Sequence, residues 1–308
     1  GRQSGQGYSE DLNGYNPEGI ARLDATRKHG RRCSAAVAHL RPALARGNVT
    51  LLTKSQVLKI NMTDNSVSGV TFKHRGETRS VKANKEVILS GGAINSPHLL
   101  MLSGIGPEKH LKEHGIDVNV DLPGVGQNLQ DHSCVILQYA CKKSFPIHKV
   151  NQPHRKLATG IKWVFTKKGI GASNIWEAGG LIRSSSKAAY PDIQYHFGPV
   201  GFEYEDNKIS LLQAFAIHVD QLRPRSRGEV TLKSADPLEK PLMTFNYLQH
   251  PEDLAEMLSG VKKARELISQ QAFDEYRGEE LIPGPEFESD DDLVKFIRDV
   301  AETDYHPS

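Results

Sequence analysis

Two patterns of hydrophobic and polar positions divide this chain. Between residues 49 and 83, short apolar runs alternate with the turn-forming pairs Asp64-Asn65 and Arg75-Gly76, which is typical of an antiparallel β-meander. From Ser133 onward, strand-like runs alternate with amphipathic helical runs, which predicts antiparallel β-structure with helices. The change of pattern predicts a domain boundary between residues 132 and 133.

The period of the apolar positions predicts the individual elements. A period of two indicates a strand, and a spacing of three or four indicates a helix. The predicted strands are 49–52, 57–60, 67–72, 78–81, 86–90, 135–137, 193–197, 211–219 and 229–232. The predicted helices are 35–44, 157–165, 252–268 and 290–300, the last capped near Ser289.

The stretch from 86 to 106 is the most distinctive part of the chain. Residues 86–90 predict a short strand covered on both faces, and the pair Gly91-Gly92 lets the backbone come close to a ligand. The next pair, Ser96-Pro97, suits the N-cap and first position of a helix that ends near Gly104. Free N–H groups at such a helix start suit a phosphate or a cofactor edge. An ordinary βα unit has the same order of elements.

Composition narrows the class of protein. The 308 residues are 38% hydrophobic and 25% charged, enough for a substantial core spread over two domains. The net charge is +2, from 39 basic and 37 acidic side chains, so no overall field favours nucleic acid. No apolar run is long enough to cross a bilayer. The three cysteines have no metal-type spacing and favour a reducing compartment over a disulfide framework.

Three motifs of the chain carry a family resemblance. Residues 92–106 begin Gly-Ala-Ile-Asn-Ser-Pro and end Ser-Gly-Ile-Gly, and they resemble, in full, the second signature of the glucose/methanol/choline (GMC) flavin oxidoreductases. The run 124–132 resembles the family's loop near the flavin, and Tyr305-His306-Pro307 resembles the start of its catalytic motif. Within the family, the runs 174–180 and 193–197 resemble those of members that oxidise choline.

The resemblance implies a combined fold, α/β plus α+β. Residues 1–132 would form part of a Rossmann-like FAD-binding domain with an inserted β-meander. Residues 133–300 would form a substrate-binding domain, an antiparallel sheet backed by helices, and 301–308 would begin a C-terminal catalytic segment. The family's phosphate fingerprint is then expected before Gly1, and its second catalytic residue after Ser308.

The implied cofactor is FAD. The residues that the resemblance places near it are Val57, Gly91, Gly92, Ala93, Asn128 and His132. For His132, capping of its own loop is an alternative. A nicotinamide dehydrogenase would instead need a phosphate fingerprint and an acidic ribose-binding residue, and the sequence shows neither.

The implied reaction is oxidation of a primary alcohol. His306 would act as general base on the hydroxyl group while hydride passes to the flavin. Choline would give betaine aldehyde, and another alcohol or a sugar is an alternative substrate. Electrons would pass to a membrane quinone or another acceptor, in mitochondria and peripheral to the inner membrane. A truncated, non-catalytic module is an alternative of a different class, and this chain alone is expected to be inactive.

The substrate determines which side chains the site needs. A quaternary ammonium group cannot donate hydrogen bonds, so its site uses aromatic faces together with a carboxylate. The resemblance places Trp176, Phe202 and Tyr305 in the aromatic wall and His196 close to the substrate hydroxyl. Glu177 is a candidate counter-charge. For Trp176 and Phe202 the alternative is packing in the core, and for Glu177 it is a solvated or salt-bridged role.

Overall fold

The structure, a computed structural model, describes residues 1–205 and 208–308. Its internal contacts divide the chain into two compact units, each assembled from separate stretches of sequence. Unit 1 consists of Gly1–Pro42, His132–Arg225 and His250–Asp304. Unit 2 consists of Ala43–Asp131, Ser226–Gln249 and Tyr305–Ser308.

The strands are β1 (Gly19–Arg22), β2 (Arg27–Lys28), β3 (Arg31–Arg32), β4 (Ser55–Thr63), β5 (Ser66–His74), β6 (Glu77–Lys82), β7 (Ile105–Gly106), β8 (Val120–Asp121), β9 (Gln127–Leu129), β10 (Ser133–Cys141), β11 (Ala178–Ile182), β12 (Ile193–Gly198), β13 (Gly201–Glu205), β14 (Lys208–Leu212), β15 (Ala214–Gln221), β16 (Gly228–Thr231), β17 (Leu242–Thr244), β18 (Arg277–Ile282) and β19 (Glu302–Thr303). The helices are α1 (Arg41–Ala45), α2 (Gly92–Leu102), α3 (Glu108–Glu113), α4 (Pro153–Thr166), α5 (Pro251–Ser269) and α6 (Asp290–Val300). A π-helical turn, Ala36–Leu40, precedes α1, which contains the helix-disturbing Pro42.

Unit 1 is built on an antiparallel sheet with the strand order β1-β11-β12-β15-β10-β18, and β19 also pairs with β10. Side chains alternate between its two faces, and one face packs on α5. On that face, the Tyr195 hydroxyl donates to the Gly260 carbonyl of α5 at 3.0 Å, and Gly260 lies against Val219. The prediction of an antiparallel sheet backed by helices is confirmed.

The two units differ from the contiguous ranges expected from the sequence. The first 42 residues lie in unit 1 because β1 pairs with β11, and Gly19 faces Leu181 in that ladder. Residues 226–249 lie in unit 2 because β16 pairs with β9. The domain ranges 1–132, 133–300 and 301–308 stay a prediction.

The predicted meander forms the three-stranded sheet β4-β5-β6 of unit 2. Asp64 and Asn65 have φ of 47° and 63°, and Arg75 and Gly76 have φ of 51° and 94°. Two successive left-handed residues are what a tight hairpin turn between twisted strands requires, so both turn signals were correct. The predicted strand at 49–52 is wrong, since these residues pair with no strand in the described part of the chain.

The stretch 86–106 departs from the prediction at its start. Residues 86–90 belong to no sheet of the described chain, and Ile88 is 77% exposed, so the predicted buried strand is wrong. α2 begins at Gly92, so Ser96 and Pro97 lie inside the helix instead of at its cap. The Ser96 hydroxyl nevertheless accepts a hydrogen bond from the Gly91 N–H at 3.1 Å. The predicted end is confirmed, since Gly104 follows the C-cap with a φ of 77°.

The core of unit 2 joins α2 and α3 to the small sheet β17-β16-β9. Its buried side chains are Met101, Leu111, Val125, Leu129, Val230 and Leu232. The fully buried Ser103 ties α2 to the meander: its hydroxyl accepts from the Ile60 N–H at 2.8 Å and donates to the Leu99 carbonyl at 2.6 Å.

Candidate functional site

The sheet face of unit 1 opposite α5 carries a cluster of polar side chains. His196 of β12 lies directly opposite His218 of β15, and Cys134 of β10 lies opposite Asp220 of β15. Residues two apart on a strand point to the same face, so His218 and Asp220 share that face with both partners. Three neighbouring strands therefore bring imidazole, thiol and carboxylate groups together.

Aromatic rings cover this cluster. The Trp176 ring meets His218 edge-on, with centroids 4.5 Å apart, and lies 6.3 Å from Phe202 and 6.4 Å from His196. Gly198 makes room for the indole, because a Cβ at that position would lie 2.5 Å from the Trp176 ring. The structure thus brings together three of the predicted substrate residues, Trp176, His196 and Phe202, while their roles stay predictions.

The electrostatics of the cluster centre on Asp220, which is 0% exposed. Its Oδ2 lies 2.6 Å from His196 Nδ1. Burial lowers the pKa of His196, but the hydrogen bond and charge of Asp220 outweigh this effect and the net shift is upward. Burial also lowers the pKa of His218 to about 4 and raises that of the Cys134 thiol, so both groups are uncharged at neutral pH.

The side chains of this cluster also carry atoms of the kinds that bind metal ions in proteins. Cys134, His218 and Asp220 form one group whose ligand atoms lie within 4.8 Å of one another, and His196, Asp220 and Asp304 form a second. Asp220 belongs to both groups. Its Oδ2 already accepts the 2.6 Å hydrogen bond from His196, and we assign no metal to the cluster.

Glu177, the predicted counter-charge, makes different contacts. Its Oε1 accepts from the Ser173 hydroxyl at 2.8 Å and lies 3.6 Å from the Arg27 guanidinium. Half of the Glu177 side chain is exposed. The salt-bridged alternative therefore describes its contacts in the structure, and its role toward a substrate stays a prediction.

Two of the predicted cofactor residues line one cavity of unit 2, with a volume of about 510 Å³. Val57 borders it from β4, and Gly91 borders it from the start of α2. Gly92 and Ala93 are the first two residues of that helix, and Gly92 has a φ of 79°. An apolar side chain facing a helix N-terminus fits an edge of a cofactor that carries both ring and phosphate groups.

The remaining predicted residues do not border this cavity. Asn128, in β9, has a φ of 67° and is exposed, and it does not border the cavity. His132 lies in unit 1, where its carbonyl accepts from the Asp304 N–H at 3.1 Å. Tyr305 and His306 are exposed residues of unit 2. The segment 305–308 that contains them is joined to residue 130 by two backbone hydrogen bonds, of 2.9 and 2.8 Å, between residues 130 and 308. None of these contacts tests the roles predicted for the four residues.

The sequence interpretation missed Gln194, His218 and Asp220. Gln194 and His196 are two residues apart on one strand, as are His218 and Asp220 on the next. Polar side chains at alternate positions of otherwise apolar strands were the signal, because a buried face seldom carries them without partners. The register between the strands, which brings the four side chains together, was not readable from the sequence.

Comparison with known families decides the classification. The model of the N-terminal part of GMC oxidoreductases matches residues 2–134, and the model of the C-terminal part matches residues 224–308. Together the two ranges cover more than half of the chain. The chain belongs to the GMC oxidoreductase family. The family resemblance inferred from residues 92–106, 124–132 and 305–307 is therefore confirmed.

Similar curated proteins carry the name oxygen-dependent choline dehydrogenase. The protein from Staphylococcus saprophyticus is 41% identical over 308 residues, which is 100% of this chain and 55% of that protein. The protein from Brucella ovis is 43% identical over 307 residues, which is 100% of this chain and 56% of that protein. The chain spans a little over half the length of these GMC relatives.

Solved structures confirm the predicted fold class. A formate oxidase from Aspergillus oryzae superposes with a TM-score of 0.88 at 24% identity, over 100% of this chain and 58% of that one. A pyridoxine 4-oxidase from Mesorbium loti superposes with a TM-score of 0.83 at 25% identity. This match covers 99% of this chain and 57% of that one. The prediction of FAD as the cofactor of the family is also confirmed by the match to the GMC oxidoreductase models, and the description of the structurally similar formate oxidase names FAD.

The predicted location needs a correction. The family resemblance implied mitochondria, but the similar curated relatives come from Staphylococcus and Brucella, which are bacteria. The mitochondrial assignment is therefore wrong as an inference from the family. Within residues 1–205 and 208–308, none of the helices combines the length and apolar character that a bilayer crossing requires.

Proposed function

We propose that the protein containing this chain is an FAD-dependent alcohol oxidoreductase that converts choline to betaine aldehyde. The observation that carries the proposal is the placement of Trp176, with Phe202 next to it, beside the hydrogen-bonded pair of His196 and Asp220. The names of relatives at 41 and 43% identity support the choice of choline. An alcohol dehydrogenase of other specificity is the alternative within the family.

The aromatic cluster suits a trimethylammonium group. Such a cation has no hydrogen to donate, and aromatic faces attract it by about 0.5 to 2 kcal/mol each. The low pKa of His218, about 4, keeps its ring neutral beneath Trp176, so it adds no positive charge against the cation. The carboxylate of Asp220 lies within the same cluster and gives it negative potential.

Oxidation of a primary alcohol removes a proton from the hydroxyl group and a hydride from the adjacent carbon. Bound FAD supplies the hydride acceptor, and a membrane quinone or another acceptor takes up the electrons afterwards. The proposal gives His306 the role of general base, a contribution of about 10²- to 10⁴-fold. Val57, the segment 91–93, Asn128 and His132 would hold the cofactor, and Tyr305 would complete the aromatic wall.

The test compares choline with 3,3-dimethylbutan-1-ol, which has the same shape without the charge. In the FAD-loaded protein, Trp176→Ala should lower kcat/KM for choline by roughly 2- to 30-fold more than for the neutral alcohol. The chain's other tryptophan is a matched control: Trp163 donates from Nε1 to the Gly30 carbonyl at 2.8 Å, away from the cluster. Trp163→Ala should therefore affect both substrates equally.

Three outcomes would overturn parts of this proposal. Absence of choline turnover by the unmodified protein would refute the substrate, and better turnover of a sugar would favour the alternative. Equal losses for the two alcohols in Trp176→Ala would reduce this residue to a packing role. A normal rate of flavin reduction by choline in His306→Ala, with FAD content unchanged, would remove His306 from the mechanism.

A further inference from the structure

The strongest unexplained contact in unit 1 joins a half-open imidazole to a fully buried carboxylate. His196 Nδ1 lies 2.6 Å from Asp220 Oδ2, a distance typical of a charge-assisted hydrogen bond. The side chain of His196 is 26% exposed, whereas that of Asp220 is 0% exposed. His196 is therefore the end of the pair that a ligand can reach, and Asp220 acts only through it.

The contacts of the two ring nitrogens indicate the tautomer. A carboxylate oxygen can only accept, so the 2.6 Å contact between His196 Nδ1 and Asp220 Oδ2 places the ring proton on Nδ1. The Gln194 amide lies 3.1 Å from His196 Nε2, and its N–H can donate to that nitrogen. If His196 takes up a second proton, rotation of the Gln194 amide offers its oxygen instead. The Nδ1 bond to Asp220 is the same in both states, so proton exchange takes place at Nε2.

The surroundings leave Asp220 dependent on His196. Its Oδ1 accepts no hydrogen bond of standard geometry from the described residues, although the nearby Cys134 thiol interacts with the carboxylate. Cys134 and His218, which face it from β10 and β15, are both uncharged at neutral pH. Asp304 is a second carboxylate within 4.8 Å of both members of the pair. Its charge raises the pKa of His196, as the charge of Asp220 does. This buried carboxylate would be destabilising without the imidazole.

We propose that Asp220 is a positioning residue for His196, holding the ring so that Nε2 is the atom that meets the alcohol oxygen. This inference rests on the proposed function for its substrate, and on the two hydrogen bonds for its geometry. Asp220 fixes the ring plane and keeps a proton on Nδ1, which is the arrangement by which a carboxylate orients an imidazole in hydrolytic triads. The Gln194 amide is the hydrogen-bond partner of His196 Nε2 until a substrate hydroxyl replaces it or binds beside it.

The first test needs neither substrate nor cofactor. Magnetic resonance of isotope-labelled imidazole nitrogens should show His196 protonated at Nδ1 and titrating above 6.5, with its signal identified by its loss in His196→Gln. In Asp220→Asn the pKa of His196 should fall below the value in the unmodified chain, and the proton should move to Nε2. A matched control is Asp192→Asn, which removes a buried carboxylate that binds Ser184 at 2.6 and 2.7 Å. It should leave the His196 titration unchanged.

The second test measures catalysis in the FAD-loaded protein. Asp220→Asn should lower kcat for choline by about 100-fold, and should shift the limb of the pH–kcat profile that reports on His196 to lower pH. Asp220→Glu should recover part of the rate, because it restores a carboxylate. A merely structural role for Asp220 would lower the yield or stability without moving the profile.

The outcomes separate the two proposals. If the unmodified chain shows His196 protonated at Nε2, or titrating below 6.5, the positioning role is overturned even when choline is oxidised. If Asp220→Asn does not fold, these measurements on the unmodified chain still decide the question. If choline is not oxidised but the Nδ1 tautomer and the shift in Asp220→Asn are found, the proposed substrate fails and the positioning role stands.

Discussion

His218 makes the stability of unit 1 depend on pH in a predictable direction. Burial lowers its pKa from 6.5 to about 4, so as the pH falls the unfolded chain takes up a proton on this ring before the folded chain does. The contribution of neutral His218 to the free energy of unfolding is fully present above pH 6.5, and it declines as the pH falls toward 4. A shift of this size corresponds to about 3 kcal/mol of unfolding free energy over that window.

The perturbation that tests this reasoning is His218→Gln, which keeps a polar side chain and removes the titration. Urea unfolding at several pH values between 4 and 6.5 should show a smaller loss of free energy in the variant than in the unmodified chain. His196 does not contribute to the change between pH 4 and 6.5. Its pKa is raised in the folded state, so its contribution to stability is fully present below the pKa of the unfolded chain and is lost only at higher pH.

An exposed histidine provides the control for the unfolded state. His154 is an exposed residue of α4, and His154→Gln should reproduce the pH dependence of the unmodified chain. Direct titration of the His218 ring by magnetic resonance gives the pKa independently. Equal slopes of free energy against pH in the unmodified chain and in His218→Gln, or a ring pKa near 6.5, would refute the argument.

Two predictions concern single serine hydroxyls, and urea unfolding measures both. Ser103→Ala leaves the N–H of Ile60 buried without its 2.8 Å acceptor and should destabilise unit 2 by about 1 to 3 kcal/mol. Ser289→Ala removes the capping box that Ser289 forms with Asp292 at the start of α6 and should cost about 1 kcal/mol. Ser80 lies at an exposed strand position and shares only a solvent-exposed hydroxyl–hydroxyl hydrogen bond of 3.0 Å with Thr71, so Ser80→Ala should change little. A loss no larger than that of Ser80→Ala would contradict either prediction.

Local signals in the sequence were sufficient for elements whose stability is local. The turn pairs 64–65 and 75–76 specified the meander, and Ser289 specified the start of α6, because backbone preference and capping act over a few residues. The start of α2 was misread because Ser96 bonds the Gly91 N–H from inside the helix, a role that sequence spacing does not distinguish from capping at the first position.

Long-range pairing set the limit of prediction at the candidate site. The apolar run at 86–90 has a strand composition, yet a strand also needs a neighbour to pair with, and the described residues supply none. Trp176 and His196 were identified through the family motifs. Asp220 was not, because its importance comes from the register of β15 against β12, which brings it to His196 over 24 residues of chain.

Each unit is assembled from separate stretches of sequence, so the protein cannot be divided into its two units by one cut of the chain. A cut between residues 132 and 133 would take β1 away from β11 and leave that edge unpaired, which invites aggregation. The same cut would separate Leu129 from Val230 in the core of unit 2. Separately expressed halves should therefore be insoluble alone and should recover structure only when refolded together, so complementation of fragments is the appropriate way to study the parts.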